Sequence, residues 1–504
     1  MKQAFNPYLP FWETVPDGEP HVFGDRVYVY GSHDKRGGGE YCMEDYVCWS
    51  ASVSNLADWK CEGVIYKKEQ DPINGGAYNK PLPRFEGDDK KGILHYLYAP
   101  DVAKGHDGRY YLYYALDSCD IISVAVADNP AGPFEFLDYV LCQDVQSPKI
   151  GRKFDPAILV ESDGNYLYYG FCPSAVFEGM AAQPKPGLML VELADDMHTV
   201  ISEPVVIANG VDTAAGTSFE AHPAFEGPSI RHIGEWYYFV YSSLQGHELC
   251  YAMSKSPKGP FEYKGILVSN GDLGYRGRII PSAYWGNNHG GLEQIGDKTY
   301  IFYHRQTHGT EYSRQGCAEE VHIKSDGTVD QVEMTSCGLN GGPLKANHIY
   351  DTYIACNLTG RSITDANIYS QVNGLPGHVI SRLPWDEKPL VIPEDMPYIT
   401  EEECATGQCG LKPFICQMAE GAVAGFKYFE FSGENMASLE LRGLGDVAIY
   451  LDGSEVREIG KIHVDSSDWK TYEIKMDSIS EVHSVFVNTI IGKVDFARIG
   501  FTKQ

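Results

Sequence analysis

Five times along the chain, a short polar turn holding a Gly and an acidic residue leads into a run of Tyr and aliphatic residues. The copies are GDRVYVYGS (24–32), HDGRYYLYYA (106–115), SDGNYLYYGF (162–171), IGEWYYFVYS (233–242) and IGDKTYIFYH (295–304). The turn glycines Gly24, Gly108, Gly164, Gly234 and Gly296 supply the positive φ of a tight hairpin, and the aromatic runs behind them suit pleated strands. A supersecondary unit recurring at this period, too small to bury its own faces, reads as a propeller blade. The pattern predicts an all-β protein whose first part, 1–325, is a five-bladed β-propeller.

Ahead of each turn, at a nearly constant distance, stands one ionisable residue beside a small residue or Pro. These are Asp17 in PDGEPHVF, Asp101 in YAPDVAK, Asp155 in FDPAILVE, Glu226 in FEGPSIRH and His289 in NNHGGLEQ. Each precedes or opens the first strand of its blade, and in a propeller those positions line one mouth of the central channel. A single Asp-Pro or Glu-Gly pair is an ordinary turn element. Asp101, for instance, could simply cap backbone amides. Five in register is another matter, because burying that many charges is costly unless they are partnered or functional.

With those motifs in view, the chain resembles glycoside hydrolase family 43 over roughly residues 5–325, through NPYLP, the PDG segment, YAPD, FDPAI, FEGPSI and NHGG. That family is a five-bladed propeller of inverting glycosidases acting on pentose polymers. The resemblance implies Asp17 as general base, Asp155 as the carboxylate that orients and tunes the acid, and Glu226 as general acid. It also implies that Arg314 in SRQGC contacts sugar hydroxyls and the base, and that His289 reaches a Ca²⁺ ion ligated mainly by water. Asp101 is expected to bind substrate, and Trp285, Phe225 and Trp12 to stack on the sugar ring. One departure stands out: the usual Asp-Pro-Ser reads Asp17-Gly18-Glu19-Pro20 here, which makes Glu19 a rival for the base.

The chemistry calls for these residue types in its own right. Inversion needs a carboxylic acid for the leaving oxygen and a carboxylate, about 6.5–9.5 Å away, to activate water on the opposite face. A third carboxylate nearby raises the pKa of the acid.

At 504 residues the chain exceeds one core. Residues 326–395, rich in Gly, Pro and Asn, are expected to be a connecting segment packed on the propeller. From 396 to 504, closely spaced alternating strands predict a β-sandwich of jelly-roll type. It resembles a family 6 carbohydrate-binding module, with Trp469 and Tyr472 read as core strand residues in a structural role.

A net charge of −28 argues against nucleic acid or an anionic membrane as partner. Thirteen cysteines without CxxC pairs, and a start without an apolar stretch, lead us to expect a cytoplasmic protein. The expected activity is exo-release of terminal xylose or arabinose from small hemicellulose oligosaccharides. The alternatives are a retaining β-fructosidase-like hydrolase, against which Gly227 after Glu226 speaks, and a non-catalytic carbohydrate-binding propeller.

Overall fold

The computed structural model describes residues 2–83, 94–142, 151–172, 186–364 and 394–504. All five expected hairpins form. Glu19–Phe23 pairs with Arg26–Tyr30, Asp101–Lys104 with Tyr110–Ala115, and Ala157–Glu161 with Gly164–Tyr169. Ala224–Ile233 pairs with Trp236–Ser243, and Leu292–Ile295 with Lys298–Gln306. Four of the turn glycines have φ between 65° and 87°. Gly164 is the exception: it opens the second strand, where a Cβ would lie 3.1 Å from the Tyr166 ring.

The first strands of the five sheets touch in cyclic order, with the fifth returning to the first. They are therefore the inner strands of a closed propeller. Five apolar cores fill the spaces between successive blades, centred on residues such as Tyr114, Leu167, Phe239, Val240 and Phe302. A blade covered on both faces needs no polar alternation. Tyr110–Ala115 is accordingly buried at every position. Their hydroxyls find partners: Tyr114, Tyr139 and Ser123 all donate to the carboxylate of Asp71.

The NPYLP segment closes the ring. In the fifth blade Arg314–Val321 is the third strand, and residues 6–8 run along its free edge. Tyr8 N donates to Gly316 O at 3.1 Å, and Ala318 N donates to Asn6 Oδ1 at 2.9 Å. The N-terminal segment ahead of the first blade is thus stapled to the last blade across 312 residues of sequence.

The second body is a β-sandwich. Its central stretch, 436–451, pairs on one side with residues of 457–475 and on the other with residues of 485–502. Leu439, Leu441, Val447, Ile449 and Leu451 alternate into the core with Phe426, Phe429, Val485 and Phe496. The 396 boundary moves earlier. Leu344–Lys345, Ile349–Asp351 and Asn357–Thr359 already pair into this sheet, because their edges complete its ladders. The part of the expected connection at 365–393 lies outside the described residues.

The two bodies share a polar, hydrogen-bonded junction. Lys427 Nζ lies 3.1 Å from Asp272 and 2.9 Å from Glu333, while Arg305 donates to the carbonyls of Ala355 and Tyr353.

Candidate active site

Asp17 and Asp155 each stand two residues before an inner strand, and both are left-handed, at φ 56° and 46°. A non-glycine residue there is under backbone strain, which the surrounding packing must hold. That turn aims both carboxylates into the channel mouth instead of along the strand. Glu226 lies within its inner strand, where the pairing register slips between residues 224 and 229. Its side chain, 16% exposed, is more open than those of Asp17 (6%) and Asp155 (5%).

His289 joins the three. Its Nδ1 is 3.8 Å from Asp17 Oδ1 and 3.9 Å from Asp155 Oδ2. Asp155 Oδ2 also accepts the N–H of Gly227 at 3.2 Å, which ties the third blade to the residue next to Glu226. On the far side of Glu226, His247 Nδ1 lies 3.9 Å from Oε1.

The electrostatics separate the carboxylates. Burial alone would raise the pKa of Asp17, but the Arg314 guanidinium 3.0 Å away holds it below the usual range. Burial and the charge of Asp17 push Glu226 up to about 8. Asp155 is likewise raised well above normal by burial, with Glu226 and Asp17 adding to it. Like charges this close do not all ionise together. Around neutral pH the arrangement holds an ionised Asp17 and a proton in the Asp155–Glu226 pair.

The structure separates the two rivals for the base. Glu19 points away from this cluster: its Oε2 accepts from Arg231 at 2.9 Å and Ser229 at 3.0 Å. Asp17 alone of the two contacts His289 and Arg314.

Other expectations are corrected. Asp101 is fully buried and takes no position toward substrate. Its Oδ1 pairs with His21 Nε2 at 2.6 Å and its Oδ2 accepts from Ile158 N at 2.8 Å, so it staples three inner strands together. Arg314 has no donor left for sugar hydroxyls. Its Nε and Nη2 fork onto Asp34, its Nη1 serves Asp17 and Asn287, and Nη2 also reaches Cys42 Sγ. That accounts for all five N–H groups. Phe225 packs against Phe171 and His247, with centroids 5.1 and 4.6 Å away, and Trp285 is wedged against Gly246 and Gly271. Both shape the wall and neither presents a free ring face. Trp12 packs on Trp49 and the sandwich core.

Three site residues escaped the reading of inner-strand starts: Asp34, His304 and Asn287. The second strand of each hairpin returns to the same mouth, so the residues ending each repeat also belong there. Asp34 follows YVYGSH, and His304 ends YIFYH. His304 Nδ1 accepts the Asp17 N–H at 3.2 Å, and its Nε2 donates to Asn287 O. Burial pushes its pKa down to about 3, so it is neutral and the lasting positive neighbour of Asp17 is Arg314.

For a metal ion, His289 is a single imidazole ligand. The neighbouring Gly290 and Gly291 are packed closely: a Cβ on either would lie within 2.6 Å of Phe302 O, Ser229 Oγ or Glu19. Among the described residues the one triple cluster of metal-capable groups is Glu19, His21 and Asp101. Arg231 Nη2, 2.9 Å from Glu19 and 3.4 Å from His21, already supplies the cation there.

A propeller whose channel mouth gathers one ionised and one protonated carboxylate defines a glycoside hydrolase. The model of glycosyl hydrolases family 43 matches residues 25–329, and the chain belongs to that family. A xylosidase/arabinosidase of Thermoclostridium stercorarium is 42% identical over 498 residues, covering 96% of both chains. A xylosidase/arabinosidase of Bacteroides ovatus is 28% identical over 65% of this chain and 97% of its own. The fold of a Bacillus subtilis family 43 arabinoxylan arabinofuranohydrolase, solved with cellotetraose, covers 99% of this chain and 97% of its own, at a TM-score of 0.50 and 18% identity.

Proposed function

We propose that this protein is an inverting exo-glycosidase that releases terminal D-xylose or L-arabinose from hemicellulose oligosaccharides. The observation that carries it is the opposed protonation of Asp17 and Glu226 at one mouth. The 42% identity to a xylosidase/arabinosidase along nearly the whole chain supports the pentose assignment.

In this reading Glu226 donates its proton to the glycosidic oxygen as the bond to the anomeric carbon breaks. Asp17 takes a proton from the water that attacks that carbon from the opposite face, inverting it. Asp17 ends protonated and Glu226 ionised, and exchange with solvent restores both. Asp155 holds the Gly227 amide beside the acid, while burial and the charge of Asp17 keep the Glu226 carboxyl protonated. Arg314 keeps Asp17 ionised without touching sugar. Calcium enters the proposal only as an ion at His289 with water filling its shell. Calcium favours six to eight oxygens, so these donors fit it weakly and no step depends on it.

In the sandwich, Lys412 and Arg442 lie over the Trp469 ring at 4.2 and 4.4 Å, which supports a structural role for that residue. A cytoplasmic place of action rests on thirteen cysteines present as thiols, most of them buried. A panel of p-nitrophenyl pentosides tests the activity. Turnover of neither the β-xyloside nor the α-L-arabinofuranoside would remove the proposal.

A further inference from the structure

Both segments that carry the Arg314–Asp34 fork are tied to one carboxylate of the second body. Glu401 lies in the sandwich strand Tyr398–Gln408, 11% exposed, and reaches across the junction with both oxygens. Its Oε1 is 3.1 Å from Arg36 Nε, two residues beyond Asp34 on the rim of the first blade. Its Oε2 is 2.6 Å from His308 Nε2, in the turn between Lys298–Gln306 and Arg314–Val321. The backbone repeats the second tie, with His308 N donating to Ile399 O at 2.8 Å.

The same two segments meet at the base. Asp34 accepts from Arg314 Nε and Nη2 at 2.9 Å each, and Arg314 Nη1 is 3.0 Å from Asp17. Arg314 N also donates to Asp34 Oδ2 at 3.1 Å, so backbone and side chain are both fixed to the first-blade rim. These segments belong to the first and the last blade of the propeller. A rim loop with three successive glycines, Gly37–Gly39, has little stiffness of its own. The cleft beside it, about 500 Å³, is bounded by Trp12, Asp34 and Arg36 on the propeller and Cys409 and Leu411 on the sandwich.

We propose that Glu401 is a positioning residue for the hydrolysis: by clamping Arg36 and His308 together, the sandwich fixes the Asp34–Arg314 fork and through it the placement of the Asp17 carboxylate. The second body is in this sense part of the catalytic apparatus without contacting substrate. The inference rests on the reading of Asp17 as base.

The experiment uses the full chain with a p-nitrophenyl pentoside that the parent turns over. Glu401→Gln keeps the shape but loses the charge that binds Arg36 and His308. The expected result is a fall in kcat of about tenfold with KM nearly unchanged. A merely structural tie would lower the melting temperature and leave kcat of the folded protein at the parental value, and that result overturns the proposal. If Glu401→Gln does not accumulate folded protein, Arg36→Met and His308→Gln each remove one arm of the clamp and carry the same test. Asp17→Asn is measured alongside. If it retains parental activity the base assignment itself has failed, whereas an inactive Asp17→Asn with an unaltered Glu401→Gln sinks the clamp alone.

Discussion

Arg314 and Asp34 meet as a two-pronged pair, Nε to Oδ2 and Nη2 to Oδ1 at 2.9 Å each, across 280 residues of sequence. The pair is almost wholly buried, and Arg314 spends its remaining N–H groups on Asp17, Asn287 and Cys42. A buried bidentate pair is rigid and strongly oriented. It delivers a fixed positive charge to Oδ1 of Asp17.

Removing that charge should move the pH profile. Arg314 holds the pKa of Asp17 down, so in Arg314→Met the base ionises only at higher pH and the acidic limb of kcat/KM shifts upward. The basic limb follows Glu226 and falls near pH 8 in the parent. Loss of Arg314 also removes an influence that lowers Glu226, so the basic limb shifts upward as well. A pH–rate series on both proteins checks the two directions.

Glu226→Gln should lower turnover of xylobiose or arabino-oligosaccharides by about 10²–10⁴-fold, the usual worth of a general acid. Aryl pentosides with good leaving groups should lose far less, since they need little protonation. Equal losses on both substrates would reassign Glu226.

The first-formed sugar should carry the inverted anomeric configuration. Proton NMR within the first minutes, before mutarotation, reads this directly. Net retention would require a covalent intermediate and a pair of carboxylates about 5–5.5 Å apart.

Asp101 should matter for stability and not for chemistry. Asp101→Ala leaves His21 Nε2 and the Ile158 N–H without their buried acceptor, a cost of about 1–3 kcal/mol for each. Thermal unfolding should show a lower midpoint, while kcat/KM of the folded fraction stays at the parental value.

Calcium at His289 should bind weakly. Millimolar Ca²⁺ should raise the melting temperature of the parent by about 1–2 °C and leave His289→Ala unaffected. An equal response in both proteins would move any calcium site elsewhere.

Much of this was legible in the sequence because the repeat is local. A turn Gly, a Tyr-rich strand and an acid at fixed distance are short-range facts, and a blade that cannot bury its own faces implies its neighbours. Asp17, Asp155, Glu226 and His289 could be placed by register alone, whereas the sandwich strands Leu344–Lys345, Ile349–Asp351 and Asn357–Thr359 fell in what read as a connection. What the sequence could not decide was pairing across the ring. Asp101 and Asp155 look alike in the repeat, yet Asp101 opens its strand and staples His21 and Ile158, while Asp155 stands two residues before its strand beside Gly227. Glu19 and Asp17 differ by two residues, and the left-handed backbone at Asp17 turns it toward Arg314 while Glu19 meets Arg231. Asp34, His304 and Glu401 become part of the site only because propeller closure and the junction with the sandwich bring distant segments within hydrogen-bond reach. Buried charges choose partners by distance and desolvation, and those are properties of the assembled ring and not of any blade's own sequence.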